Sequence, residues 1–229
     1  MSVALFLGVV GRRSLARRGL GGGGRLLLLS IRAKSRNLLL FPEIFRDVST
    51  SVDMTKIRIR PATDSDRDAI WKIFHEVVAS GDTYPLDPNI SRKDALAYWF
   101  QPGGHAYVAE LDCLKQSSLQ EDHCLVGTYI LRSNQSGGGA HVANAAFIVP
   151  KAARGQGIGR AMGEHCLNEA RRLGFRAMQF NFVVSTNESA VKLWQSLGMK
   201  IIGTLPGAFR HPEKGYVDVY VMFQSFENA

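Results

Sequence analysis

Acidic residues are missing from the first 42 positions of this 229-residue chain; the first is Glu43. The same stretch holds Arg12, Arg13, Arg17, Arg18, Arg25, Arg32, Arg36 and Lys34, so it carries the whole formal excess of +8. The remaining 187 residues balance 20 basic against 20 acidic side chains. A sequence pI near 9.6 suggests nucleic-acid binding, but the excess sits in the leader and the rest shows no basic stripe. A nucleic-acid partner is therefore not expected. No run approaches the ~18 uncharged apolar residues of a spanning helix, so no membrane span is expected either.

Cysteine is scarce: Cys113, Cys124 and Cys166. An odd count without C-x-x-C spacing argues against a disulfide framework and against a zinc site. Free thiols are the expectation, with Cys166 in a core position, and no metal is expected.

The leader is rich in Arg, Leu, Gly and Ser, the composition of an organelle-import presequence. Its apolar run, Val3 to Val10, precedes its charges, the reverse of a secretory signal. Residues 1–50 thus read as a basic mitochondrial presequence without a fold of its own. Met54 is a second start that would give a cytosolic form. A single domain is expected over 56–226.

Within it, Ile57 to Arg60 alternates like a strand and Pro61 ends it. Asp64 is placed to cap a helix over 65–79, with Ile70, Ile73, Phe74 and Val77 as its apolar stripe. Gly81 to Pro85 breaks that helix, and Ser91 opens a short one to Phe100. Residues 105–111 and 125–131 read as strands, and 133–139 as a flexible turn. Val142 to Val149 is nearly all apolar, as a buried central strand should be. A helix carrying Ile158, Met162, Cys166, Ala170 and Leu173 ends at Gly174. A strand over 176–184, a helix over 187–197 and strands over 199–203 and 216–223 complete a β-α-α-β-β-β-α-β-α-β-β order.

Arg154-Gly155-Gln156-Gly157-Ile158-Gly159 joins the apolar strand to a helix start. Glycines there let the backbone approach a ligand, and unpaired N–H groups at a helix N-terminus suit a pyrophosphate. A dinucleotide fold would want an acid about 20 residues on, where the chain has Phe180-Asn181-Phe182. The nucleotide-triphosphate loop G-x-x-x-x-G-K-[ST] is absent.

The loop does match [RQ]-x-x-G-x-[GA], and Asn187 to Met199 is similar to N-x-x-A-x-x-L-[YF]-x-x-x-G-F. On these two segments the chain resembles the GCN5-related N-acetyltransferases across 56–224. The resemblance implies an α/β (α+β) fold: a mixed, mostly antiparallel, twisted sheet of six to seven strands, splayed at an acetyl-CoA site and flanked by four helices. It implies that Phe147, Ile148 and Val149 pair with pantetheine through their backbone, an N–H near Ile148 facing the oxyanion. It implies that Arg154, Gly155, Gln156, Gly157, Ile158, Gly159 and Arg160 hold the pyrophosphate, and that Asn187 bonds the pantetheine arm. No metal takes part.

Two departures stand out. Trp194 occupies the place of the family's acidic Tyr, and an indole is no acid at neutral pH; it reads as core. Tyr216 or Tyr220 could serve instead. Val142-Ala-Asn-Ala145 replaces a common Glu base. Asn144, with Asn181 on the adjacent strand, resembles the fungal proline-analogue acetyltransferases, which share the Thr83-Tyr84-Pro85 loop. That likeness makes Asn144 and Asn181 the residues that position substrate and an activating water, and sets Thr83 and Tyr84 against the acceptor. His105, His141 and His211 read as structural or exposed.

The function implied is acetyl transfer from acetyl-CoA to a small-molecule amine or amino acid. A protein or peptide acetyltransferase and a non-catalytic acyl-CoA module are the alternatives. The oligomeric state stays open, a homodimer included.

Overall fold

A computed structural model describes residues 57–112 and 123–226. Residues 1–50, read above as a presequence, and Met54, read as a second start, fall outside the described residues. Seven strands form one sheet: β1 (Arg58–Pro61), β2 (His105–Asp112), β3 (His123–Ser133), β4 (Val142–Ile148), β5 (Ala177–Val184), β6 (Lys200–His211) and β7 (Gly215–Ser225). Their order in the sheet is β1-β2-β3-β4-β5-β7-β6. Four helices complete the fold: α1 (Arg67–Ala79), α2 (Arg92–Trp99), α3 (Ile158–Arg172) and α4 (Glu188–Ser196).

Side-chain alternation along the strands sends the core to both faces. Val108, Ile130 and Ile148 pack under α1 and α2 with Ile70, Phe74, Val78 and Trp99. Tyr107, Tyr129, Leu131, Met178, Phe180 and Met222 pack under α3 and α4 with Met162, Cys166 and Trp194. A Cβ on Gly163 would come within 2.6 Å of Leu197 and 2.9 Å of Trp194, so the glycine lets α3 and α4 close up. Gly174, at φ 84°, ends α3, and Phe175 N–H returns to Ala170 O.

One pairing breaks the antiparallel rule. β4 and β5 run parallel, and their register holds only Val142 opposite Ala177 and Ala143 opposite Met178. Beyond Ala143 the two strands separate, and the sheet opens in its middle.

The structure departs from the sequence reading in three places. Asp64 does not cap α1. It pairs with Arg67, while the Asp66 carboxylate takes the Thr63 N–H and hydroxyl at 2.7 and 2.9 Å. β6 runs on to His211, because Pro206 and Gly207 sit in a bulge on an edge strand, where a missing donor does no harm. Cys124 is disulfide-bonded rather than a free thiol; Cys166 is free and fully buried.

Asp66 also receives both terminal nitrogens of Arg60 at 2.8 Å. Chiefly through that bond, its carboxyl is held down to about 2, against an ordinary value of about 3.9. A depressed carboxylate stabilises the fold above the unfolded pKa and loses that contribution as pH falls through the folded one. Asp66→Asn should therefore cost about 2 kcal/mol at pH 7. Denaturant titrations should show the gap to wild type narrowing between pH 4 and pH 2.

Candidate active site

The gap between β4 and β5 opens into a cleft of about 550 Å³. Three elements of the sequence pattern build its donor end. β4 ends at Ile148, a turn brings Arg154 around, and Gly155 and Gly157 each take φ 79°, a left-handed conformation that L side chains resist. Gly157 is the N-cap of α3, and its carbonyl accepts the Ala161 N–H. The N–H groups before Ala161 have no partner within the helix. A Cβ on Gly155 would meet nothing within 4 Å, so the approach is open. This is a cradle for a pyrophosphate, with Arg154 and Arg160 on its rim.

The cleft wall contains Phe147, Val149, Arg154, Gly155, Gly157, Gly159, Arg160 and Asn187, with Asn144, Asn181, Thr83 and Tyr84. Three other expected residues do not line it. Asn134 N–H bonds Val142 O, so the even-numbered residues of β4 turn their backbone groups to β3. Ile148, opposite Thr128, thus faces β3, and its side chain is 0% exposed beneath α1. The cleft edge belongs to Ala145, Phe147 and Val149 instead, so an oxyanion donor at Ile148 N–H is not what the strand presents. Ile158 is 1% exposed, its side chain packed in the core. Gln156 turns back to donate to Ala152 O at 3.1 Å.

Two of the edge carbonyls already have partners. Tyr84 Oη donates to Phe147 O at 2.6 Å, and Arg154 Nε donates to Val149 O at 3.3 Å. Burial pushes the Tyr84 hydroxyl far above the usual phenol range, so it stays a neutral donor. Asn187 spends its Oδ1 on the Ala190 N–H and the Ser189 hydroxyl at the start of α4. The residue itself lines the cleft. Trp194 is 8% exposed and packs against Phe147 and Phe180, with centroids 4.7 and 4.9 Å apart. It is a wall, as its place on the apolar stripe implies.

At the opposite end the asparagines meet. Asn144 Nδ2 donates to Gln179 O at 3.0 Å and to Asn134 Oδ1 at 3.3 Å. Asn181 Nδ2 donates to the same Asn134 Oδ1 at 2.6 Å, while its own Oδ1 accepts from Gln179 Nε2 at 2.8 Å. Asn134 is the junction. Sequence reasoning missed it, because 133–139 reads as a polar turn, and Asn134 lies just past the end of β3. Arg132 and Tyr98, which also line the cleft, were missed for related reasons: one lies past the apolar part of β3, the other on a short helix.

The histidines serve elsewhere. His105 and His141 are exposed, and His211 accepts the Glu213 and Lys214 N–H groups in the β6–β7 turn. Among the described residues no cluster of His, Cys, Asp and Glu could hold a metal ion, and no helix is long and apolar enough to cross a membrane.

A splayed parallel pair, a glycine cradle at a helix start and a polar junction across the gap define an acyl-CoA-dependent transferase fold. The chain belongs to the acetyltransferase (GNAT) family, whose model matches residues 69–199. The N-acetyltransferase aca1 of Schizosaccharomyces pombe is 30% identical over 162 residues, 66% of this chain and 78% of that protein. A GCN5-related N-acetyltransferase structure from Kribbella flavida shares 42% identity and a TM-score of 0.68, covering 75% of this chain and 98% of that one. YncA of Salmonella typhimurium, a putative acetyltransferase solved with acetyl-CoA, has the same fold at 22% identity and TM-score 0.63, covering 76% and 95%. Family membership makes the chain an acyltransferase of the acetyl-CoA-dependent N-acetyltransferase class.

Proposed function

We propose that this domain acetylates the amine of a small molecule or free amino acid, by direct attack on acetyl-CoA within a ternary complex. One observation carries the reading: a single cleft joins the glycine cradle to the asparagine junction, and no Asp or Glu lines it. The donor enters from the α3–α4 face, its pyrophosphate against residues 154–160 and its pantetheine arm past Asn187. The acceptor amine comes from the α1–α2 face, where Asn144 and Asn181 lie. Bringing both reactants into one geometry supplies much of the rate.

An asparagine cannot take a proton. In this reading the amine loses its proton to a water that Asn144 and Asn181 orient, and attacks the thioester carbonyl. The coenzyme leaves as a thiolate whose pKa, near 8.5 for an ordinary thiol, needs little acid assistance. Tyr84, held as a donor to Phe147 O, fixes the cleft edge and walls the acceptor end alongside Thr83.

A cleft without acids is poorly matched to Lys-rich tails, which favours a small acceptor over a basic peptide. Thiol release from acetyl-CoA should rise with free amino acids or proline analogues and stay at background with Lys peptides. The reverse pattern would make the protein a peptide acetyltransferase. Tight coenzyme binding with no turnover on any acceptor would make it a binding module.

A further inference from the structure

Five arginines of the described residues are paired with acids: Arg60, Arg67, Arg92, Arg160 and Arg172 each hold a carboxylate. Arg132 does not. It is half-buried, it lines the cleft, and its guanidinium lies over the face of Tyr98, 5.2 Å from guanidinium carbon to ring centroid. That contact steadies the guanidinium without neutralising it.

Its position is set by register. Arg132 on β3 lies directly opposite Asn144 on β4, and directly opposed residues in an antiparallel pair project to the same face. Thr128 and Ile130 precede Arg132 at two-residue steps on β3. Thr128 accepts the indole N–H of Trp99, and Ile130 packs with α1 and α2. Arg132 therefore stands on the α1–α2 face, beside Asn144, at the far end of the cleft from the phosphate cradle. Arg154 and Arg160, the other two cations of the wall, belong to that cradle. A cation partly withdrawn from water, with no acid in the cleft wall to balance it, is costly until an anion arrives.

We propose that Arg132 is the specificity-determining residue of the acceptor site and anchors a carboxylate, so that the substrate is an amine that also bears an acid group. The planar guanidinium offers two parallel N–H donors to a carboxylate, a match that an ammonium or an amide cannot reproduce. Asn144 alongside then receives the amine end of the same small molecule. This rests on the small-amine reading above and narrows it: neutral and polycationic amines are excluded because they leave Arg132 unpaired, and a free amino acid satisfies both ends.

The experiment compares free amino acids with their carboxamides, which keep the amine and side chain and lose the charge. Wild-type kcat/KM should favour the free acid by ~10- to 100-fold. Arg132→Gln should remove most of that preference, chiefly through the KM of the acid, while the amide is used about as well as before. Arg132→Lys should restore part of it, and acetyl-CoA affinity, measured separately, should be unchanged in both variants. Equal use of acid and amide by the wild type, or an equal loss on both in Arg132→Gln, would overturn the proposal and leave small-amine acetylation standing. Acetylation of a Lys peptide with neither small acceptor used would instead overturn the small-amine reading itself.

Discussion

Gly157→Glu should weaken acetyl-CoA binding by at least ~100-fold, the largest effect expected of any single change in the cradle. Two causes add. Gly157 holds φ 79° at the N-cap of α3, and an L residue forced to that conformation costs about 1 kcal/mol or more. The new carboxylate would also stand where the helix start, Arg154 and Arg160 favour negative charge on the ligand. Gly157→Ala separates the two, because it carries the strain without the charge. Calorimetric titration with coenzyme A should place Gly157→Ala between wild type and Gly157→Glu. Wild-type affinity in Gly157→Glu would mean that the pyrophosphate does not lie on residues 154–160.

Asn144→Ala should lower kcat by ~100-fold with acetyl-CoA affinity intact, and Asn181→Ala by ~10-fold. The order follows from the hydrogen bonds. Both N–H donors of Asn144 are directed inward, to Gln179 O and Asn134 Oδ1, which leaves Asn144 Oδ1 as the acceptor offered to an incoming amine or water. Asn181 already has its oxygen bound by Gln179 and its amide by Asn134. It acts more as a brace than as an open contact. Because the two share Asn134, the double variant should fall short of the product of the single losses. Steady-state kinetics on the preferred acceptor, with coenzyme affinity measured separately, will show it. Unchanged kcat in both single variants would remove the asparagines from the reaction.

Much of this architecture is visible in local pattern. The element order follows from apolar periodicity and glycine stops, and the cradle follows from three alternating glycines at the start of an amphipathic helix. What stayed hidden depended on register. Ile148 and Phe147 look equivalent in an apolar run, yet the phase of the β3–β4 ladder turns one to the neighbouring strand and the other to the cleft. Asn134 and Arg132 carry no local mark either. They matter because the chain pairs Arg132 with Asn144 and brings Asn134 within reach of both β4 and β5. The extension of β6 past Pro206 was hidden for a different reason. A proline and glycine that would end an interior strand are tolerated on an outer one.

The brief β4–β5 ladder has a mechanical side. Two residue pairs, with an Arg176 N–H bond to His141 O just before them, stitch a four-stranded half of the sheet to a three-stranded half. Past them, the span is bridged by Phe147, Phe180 and Trp194 leaning on one another and by the amides around Asn134. A molecule lying along that seam acts as a strut as well as a reactant, gripping both halves at once. Each turnover then removes and replaces a structural member, and the protein is most firmly assembled while its substrates are in place.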